Sequence, residues 1–295
     1  SSGNVFDRGT IYFSDKRGGT VAAATIESGF KAAIVPAQIQ DPDALFGALY
    51  NTLESVTSLD REAFYASVAK KNDPYEEVAT RIPKSHAEML TAQKIPGLTL
   101  YRQKWRFYPG GSLAAKAIGF VSYKDNTLVG SYGLESFYND VLTRTQEDLS
   151  VNFFAELFAN VQSTIFKNTE TIGDIVTAIE PTVQSELETA VEDTRKKWAS
   201  DAVGAIVMDP ATGAIIGMAQ APTFDLNEYG SVDDISIYAN PFTQNVYEMG
   251  SIIKPVVMAS AIDAGAVTPQ TSYYDKGQVV VEDRTIYNFD KKGRG

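Results

Sequence analysis

Alternating apolar and polar residues open the chain, a pattern typical of β-strands with one buried face. It predicts strands at residues 4–13, Thr20 to Ile26 and Phe30 to Val35. From Asp41 to Lys71 the spacing becomes helical, with Asp41 as a cap before Pro42 and a second helix starting near Asp60. The first seventy residues therefore predict a mixed α and β fold.

The same reasoning continues to residue 172. It predicts, in order, a loop at Asn72 to Glu77, a helix at Lys84 to Ala92, a strand at Leu98 to Tyr108, a helix at Leu113 to Phe120, a loop at 124–133 and a helix from Gly133 to near Leu142. Large apolar residues recur with helical spacing from Leu149 to Ile165. The polar face of this segment lacks Lys and Arg, so we expect it to pack internally rather than adsorb to a membrane.

The character of the sequence changes after the polar stretch Lys167 to Gly173, and we place a domain boundary near residue 172. A short strand (Asp174 to Ile179) precedes a strong helix from Glu180 to Trp198. Residues 204–219 form two apolar runs around a turn of Asp, Pro, Thr and Gly, which predicts a hairpin buried on both faces.

Candidate chemistry lies in the stretch Tyr247 to Gly265, which predicts a turn running into a buried helix. Ser251 and Lys254 lie three residues apart and would share a helix face. A hydroxyl beside an amine suggests a serine nucleophile with a lysine base. The alternative is a capped core helix whose lysine extends to water.

The Ser-x-x-Lys tetrad is weak evidence by itself because it occurs three times, at Ser28, Ser67 and Ser251. Only the third has a preceding glycine, an early proline and a long apolar helix behind it. Local sequence leaves the two interpretations of Ser251 and Lys254 open.

Charge and composition exclude some classes of function. The formal net charge is −11 over 295 residues, which argues against a nucleic-acid partner. Cysteine is absent and His86 is the only histidine, so we predict no thiolate or histidine-rich metal site and no cofactor. Neither a membrane-spanning run nor a signal peptide is recognisable in this sequence, and its first residues indicate a processed or cut N-terminus.

Several blocks resemble the class B penicillin-binding proteins, the bacterial cell-wall D,D-transpeptidases. Those similar to the family's non-catalytic pedestal are Arg8-Gly-Thr-Ile11, Pro96-Gly-Leu98, Arg106-x-Tyr108-Pro109, Gly119-Phe-Val121 and Gly130-x-x-Gly133-Leu-Glu135 with Tyr138 and Leu142. Those similar to the opening of the transpeptidase domain are Ile179-Glu180, Gln184 and Val207-Met-Asp-Pro-x-Thr-Gly213. Ser251-x-x-Lys254 then occupies the position of the family's nucleophile and base.

The chain also departs from the family pattern. Phe13 and Ser14 are extra residues before Asp15, Glu180 replaces an Asp, and Met249 replaces a Pro. The family's Ser-x-Asn and Lys-Thr/Ser-Gly motifs do not follow Ser251, and Lys291-Lys-Gly293 does not match the second. We therefore expect a chain truncated before these motifs.

The resemblance implies an α+β fold in two parts. Residues 1–172 would form an elongated pedestal of the dimerisation type. Residues 173–295 would form the incomplete first part of a transpeptidase domain, an antiparallel sheet with helices. The resemblance also implies an upstream membrane anchor and a location on the outer side of the cell membrane.

By the same resemblance, the full-length protein would cross-link D-Ala-D-Ala stem peptides through an acyl-enzyme on Ser251, serving elongation or division. A desolvated, neutral Lys254 would act as base, and β-lactams would trap the serine. The alternative is a non-catalytic module in which residues 1–172 dock on a membrane glycan polymerase. A β-lactamase or β-lactam sensor is disfavoured, since those proteins lack the pedestal.

Overall fold

The computed structural model describes residues 8–124, 127–143 and 173–294. The chain forms two compact units, Ser1–Thr243 (unit 1) and Gln244–Gly295 (unit 2). The predicted boundary near residue 172 rests on sequence character and stays a prediction. The predicted aromatic helix between Leu149 and Ile165 lies outside the described residues.

The predicted mixture of helices and strands is confirmed. The strands are β1 (Ile11–Ser14), β2 (Thr20–Ile34), β3 (Glu76–Ile82), β4 (Leu98–Phe107), β5 (Val121–Lys124), β6 (Thr127–Gly130), β7 (Ile175–Val176), β8 (Val203–Met208), β9 (Ile215–Ala221), β10 (Gln278–Val281) and β11 (Arg284–Tyr287). The α-helices are α1 (Pro42–Leu53), α2 (Arg61–Ala69), α3 (Lys84–Ala92), α4 (Ala115–Ile118), α5 (Gly133–Phe137), α6 (Asn139–Leu142), α7 (Pro181–Trp198), α8 (Pro241–Gln244) and α9 (Lys254–Asp263).

Strand β2 is the centre of the main sheet of unit 1. Strand β4 pairs with it antiparallel from Thr25 to Ile34. Strand β1 pairs with its first part, Thr20 to Ala24, and β3 pairs with its last part, Phe30 to Ile34. Strand β7 adds to β1 in parallel. One long strand thus connects the two ends of the sheet.

The prediction of two separate strands at residues 20–35 is wrong, because Gly29 does not end β2. A Cβ at Gly29 would lie 2.4 Å from the carbonyl oxygen of Ile82 and 2.9 Å from the Trp105 ring. The glycine permits close packing inside the strand rather than a turn. The predicted loop at 72–77 is right up to residue 75, where β3 follows, and the predicted loop at 124–133 is partly wrong because the β5–β6 hairpin occupies half of it.

Helices α1, α2 and α3 follow the predicted pattern. Asp41 and Asp60 cap α1 and α2 by accepting from the backbone N–H of Ala44 (2.9 Å) and Ala63 (3.0 Å). Their apolar faces bury one core of unit 1 with β2 and β3, including Ile34, Leu45, Leu49, Leu53, Phe64, Ile82 and Leu90. The apolar periodicity predicted these helices correctly because one face of each is buried.

A separate core of unit 1 forms around β1, α4 and the segment 224–238. Its buried members include Ile11, Phe13, Tyr108, Ile118, Phe120, Leu142, Phe224, Leu226 and Tyr238. Phe120 stacks on Tyr229 with ring centroids 4.3 Å apart, and Tyr238 meets Phe120 edge-on at 4.8 Å. Sequence segments more than a hundred residues apart therefore share one aromatic cluster.

A buried ion cluster lies beside this core. The Glu135 carboxylate accepts from Arg8 Nε through Oε2 and from Arg106 Nε through Oε1, both at 2.6 Å. All three side chains are at most 1% exposed. Pairs this buried are stable only when further hydrogen bonds satisfy the remaining donors and acceptors.

Backbone carbonyl oxygens supply two of those hydrogen bonds, while Arg106 Nη2 has no partner among the described residues. Arg8 Nη2 donates to the Glu135 carbonyl oxygen (2.6 Å), and Arg106 Nη1 donates to the Gly9 carbonyl oxygen (2.7 Å). Burial, followed by the negative charge of Glu135, raises the pKa of Tyr108 well above its ordinary value. The neutral Tyr108 hydroxyl accepts from the Val121 N–H at 3.2 Å. The cluster joins the three pedestal-like sequence blocks that contain Arg8, Arg106 and Glu135.

We predict that Glu135→Gln destabilises unit 1 by about 3–5 kcal/mol, since it leaves two buried guanidinium groups without a counter-charge. Urea unfolding of the purified chain measures the loss. Glu88→Gln is the control, because Glu88 forms only an exposed pair with Lys84 at 3.8 Å and should cost about 0.5 kcal/mol or less. Equal effects of the two substitutions would contradict the assigned importance of the cluster.

Candidate functional site

Ser251 lies in a 3₁₀ turn, Gly250–Ile253, that runs directly into α9. Gly250 has φ +55°, a left-handed conformation that glycine adopts without strain. The Lys254 N–H donates to the Ser251 carbonyl oxygen. Residues three apart in a 3₁₀ turn eclipse one another, so Ser251 and Lys254 project from the same side. This local geometry agrees with the predicted shared face.

The Ser251 hydroxyl and the Lys254 amine are both exposed in unit 2. Neither side chain forms a hydrogen bond or ion pair with another described residue. The desolvation expected of Lys254 is therefore not found in unit 2. The two side chains project from the same side of the 3₁₀ turn, and no hydrogen bond joins them.

The prediction that α9 is a core helix is wrong for unit 2. The helix has no buried residue, and Val256, Val257 and Met258 are more than half exposed. Unit 2 otherwise contains the β10–β11 hairpin, all of whose strand residues are exposed. A lone helix and a two-stranded hairpin supply too little surface to bury an apolar helix.

The other two Ser-x-x-Lys tetrads differ clearly from the third. Ser28 and Lys31 lie on strand β2, where Lys31 forms an ion pair with Glu77. Ser67 and Lys70, at the end of α2, both bond to Glu76, at 3.0 Å and 2.7 Å. Lys31, Ser67 and Lys70 therefore have structural partners. Among the described tetrads, only Ser251 and Lys254 leave both groups available for chemistry.

Helix α7 and the β8–β9 hairpin form the part of unit 1 that precedes this site. Glu180 caps α7 by accepting from the Val183 N–H at 2.7 Å. The fully buried Gln184 side chain donates to the Met218 carbonyl oxygen (2.9 Å) and accepts from the Met218 N–H (2.8 Å). The amide of Gln184 thus binds both backbone groups of one residue in β9 and fixes the helix against the strand.

The hairpin itself is as predicted, with strands on either side of Asp209 to Gly213. The prediction that both its faces are buried is wrong, since Ile206 is 44% and Met208 54% exposed. Helix α7 covers one face, where Val191, Ala219 and Ala221 are buried. The nearly continuous apolar residues of the two strands gave no indication that only one face of the hairpin is covered by another element.

The end of unit 1 is held in place by two contacts that the sequence analysis did not predict. Asn240 Oδ1 accepts from Gln220 Nε2 (2.7 Å) and from the Phe242 N–H (3.1 Å). The Phe242 ring packs on Gly204, where a Cβ would lie 2.5 Å from the ring. The Asn240-Pro241 dipeptide is a turn signal that could have indicated this anchor. It holds the start of α8 against the hairpin.

A further link that the sequence did not indicate involves Glu188 on α7. Its Oε1 accepts from the Ala114 N–H and from Gln184 Nε2, both at 2.7 Å. Burial raises the pKa of Glu188, an effect that the two hydrogen bonds partly oppose. Glu188 thereby connects α7 to the segment that opens α4.

Other kinds of site receive no support within the residues described. No group of three or more His, Cys, Asp or Glu side chains there could hold a metal ion. The helices found in the described ranges are all too short or too polar to cross a membrane.

Comparison with known families gives two matches. Residues 5–176 match the penicillin-binding protein dimerisation domain, and residues 203–295 match the penicillin-binding protein transpeptidase domain. The first match covers more than half of the chain. Ser251 and Lys254 fall within the second.

Curated relatives agree with these families. Stage V sporulation protein D of Bacillus subtilis (strain 168) is 27% identical over 98% of this chain and 44% of its own length. The peptidoglycan D,D-transpeptidase FtsI homolog of Mesostigma viride is 30% identical over 81% of this chain and 39% of its own length. The peptidoglycan D,D-transpeptidase MrdA of Escherichia coli (strain K12) is 24% identical over 98% and 49%. The chain spans about half the length of these relatives.

Solved structures show the same fold at low sequence identity. Penicillin Binding Protein 2X from Streptococcus thermophilus has a TM-score of 0.63 at 20% identity, covering 98% of this chain and 46% of that one. Penicillin-Binding Protein (PBP2) from Helicobacter pylori has a TM-score of 0.63 at 19% identity, covering 99% and 59%. The predicted α+β fold, with a pedestal domain followed by part of a transpeptidase domain, is confirmed.

We predict that Glu188→Gln becomes increasingly stabilising as pH rises. The raised pKa means that the protonated carboxyl favours the folded state, a contribution present below the ordinary value of 4.5 and lost as pH rises through the raised pKa. Glutamine keeps the acceptor oxygen and cannot ionise. Melting temperatures measured from pH 4 to pH 8 test this, with Glu186→Gln on the exposed face of α7 as control. A parallel pH profile for Glu188→Gln and the wild type would contradict the prediction.

Proposed function

The chain belongs to the class B penicillin-binding proteins, and from this premise we propose that the full-length protein is a peptidoglycan D,D-transpeptidase with Ser251 as nucleophile and Lys254 as base. One observation carries the residue assignment. Of the three Ser-x-x-Lys tetrads, only this one leaves both side chains without structural partners, and it lies in the segment matched by the transpeptidase domain.

The proposed first step is acylation. Ser251 Oγ attacks the carbonyl carbon between the two D-Ala residues of a stem peptide while Lys254 accepts the hydroxyl proton. The Oγ–C bond forms, the peptide C–N bond breaks, and the proton passes to the departing D-Ala amine. The Ser251 N–H, in the turn that opens α9, would stabilise the oxyanion.

The second step regenerates the enzyme. An amine from a neighbouring stem peptide attacks the acyl carbon, forms the new peptide bond and releases Ser251, which regains its proton through Lys254. β-Lactams would acylate Ser251 in place of the stem peptide. No cofactor or metal enters either step.

Because Lys254 is exposed in unit 2, the mechanism requires that other elements surround its amine. An amine acts as a base at neutral pH only when burial or nearby positive charge favours its neutral form. In the full-length protein we expect the family's Ser-x-Asn and Lys-Thr/Ser-Gly elements to close over Lys254 and supply that environment.

A second proposed role belongs to residues 1–172, the predicted pedestal. The match of residues 5–176 to a dimerisation domain supports an interaction function. We propose docking on a membrane glycan polymerase, with the protein held at the outer side of the cell membrane. This role is compatible with catalysis by the full-length protein.

We predict that a fluorescent penicillin labels the full-length wild type and fails to label Ser251→Ala, because the acylated oxygen is lost. Labelled protein is measured on a denaturing gel. Ser67→Ala is a matched control, since it removes the serine of another Ser-x-x-Lys tetrad, one bonded to Glu76, and it should keep full labelling. Undiminished labelling of Ser251→Ala would overturn the assignment.

We also predict no measurable acylation of the 295-residue chain by itself. Ser251 and Lys254 are solvated in unit 2, so the amine lacks the environment that would make it a base. The comparison with full-length protein uses the same penicillin at the same concentration. Covalent labelling of Ser251 in the 295-residue chain would contradict this prediction.

A further inference from the structure

A large groove in unit 1 has no role in the proposed mechanism. It is about 1510 Å³ in volume and is lined by β2, β3 and β4, by the connection between α1 and α2, and by the 3₁₀ turn Leu226–Ser231. Sites for small molecules usually measure about 300–1,000 Å³. The volume therefore suits an extended polymer better than a single metabolite.

One wall of the groove is fixed by Arg81. Its backbone is left-handed (φ +55°), and its N–H donates to Gln103 Oε1 at 2.9 Å. Its Nη1 reaches the Asn227 carbonyl oxygen at 3.1 Å. The Asn227 side chain in turn bonds to both the N–H (3.1 Å) and the carbonyl (2.9 Å) of Tyr108. Arg81 forms no ion pair with any described residue, so a positive charge is held in the groove without a carboxylate partner.

The rest of the lining is rich in acceptors and hydroxyls. Seven Ser or Thr residues and five acidic residues line the groove, against Arg81 and Lys84 as the two basic ones. Within the described chain, the carboxylates of Glu27, Glu54 and Glu228 form no hydrogen bond or ion pair. These three groups are available to accept hydrogen bonds from a ligand.

This charge distribution selects among polymers. The acidic excess repels polyanions such as nucleic acids. A strongly basic peptide would satisfy the carboxylates but would meet the fixed Arg81 charge. A neutral polyhydroxyl chain can donate to Glu27, Glu54 and Glu228 and accept from Arg81. An uncharged ligand with both kinds of group fits the lining best.

Aromatic residues add a flat apolar surface. Trp105 and Phe107 line the groove on β4, and the Trp105 ring packs against Gly29. A ring held in place by the backbone behind it offers an apolar face to a ligand at low cost in conformational entropy. Sugar rings have apolar C–H faces and hydroxyl edges, which match this combination of aromatic and polar groups.

We propose that the groove binds a neutral oligosaccharide carrying N-acetyl groups, whose carbonyl oxygens accept from Arg81. The sugar hydroxyls donate to the unpaired carboxylates, and one ring lies on Trp105. Identification of the natural ligand as the glycan strand that bears the stem peptides rests on the proposed function. The groove would then hold the strand while its peptide reaches the transpeptidase site.

The test is calorimetric titration of the chain with a tetramer of β-1,4-linked N-acetylglucosamine. We expect saturable binding that Trp105→Leu weakens about tenfold through loss of the aromatic contact. Glu54→Ala should weaken it about fivefold through loss of a hydrogen bond. Tyr123→Leu and Glu62→Ala change an exposed aromatic and an exposed carboxylate outside the groove and should leave affinity unchanged.

Circular dichroism first establishes that each variant is folded. If Trp105→Leu does not fold, Glu54→Ala and Glu228→Ala carry the test, because both residues are exposed. No saturable binding by folded wild type overturns the proposal, and so does equal binding by the groove and control variants. Binding of an oligolysine peptide in place of the sugar overturns it in favour of a basic partner. Sugar binding without penicillin labelling of the full-length protein supports the ligand class and overturns only the proposed function.

Discussion

Unit 1 depends on one carboxylate held between two guanidinium groups. Glu135 is fully buried, so its charge is balanced by Arg8 and Arg106 rather than by bulk solvent. Arg8 lies 127 residues before Glu135 and Arg106 lies 29 residues before it, so the ion cluster brings distant parts of the chain together. Such a cluster gives modest net stability, but loss of any one partner is costly because it leaves a buried charge unpaired.

A series of hydrogen bonds, together with the chain segment from Tyr108 to Ala114, connects the ion cluster to the β8–β9 hairpin. Tyr108 shares the cluster, and the turn after it leads to Ala114, whose N–H donates to Glu188. Glu188 also accepts from Gln184, which binds both backbone groups of Met218 in β9. The α7 helix is therefore positioned by polar contacts on two sides, and its apolar face alone would not define this position.

The sequence predicted helices better than sheet boundaries, for a physical reason. Helices α1, α2 and α7 have local caps and periodic apolar faces, so their starts followed from nearby residues. Strand β2 runs through Gly29 because β4 pairs with it over its whole second half, and this information is not local. Gln184 was recognised as part of a motif, but the roles of Glu188 and Asn240 depend on contacts with distant residues.

The candidate nucleophile shows the same division between local and distant information. The 3₁₀ turn, the glycine and the proline are encoded within a few residues of Ser251, and they place Ser251 and Lys254 on one side. The basicity of Lys254 depends instead on what surrounds the amine, and in unit 2 it is exposed to water. A Ser-x-x-Lys sequence can therefore specify the orientation of a catalytic pair, whereas its reactivity must come from elements that exclude water from the lysine.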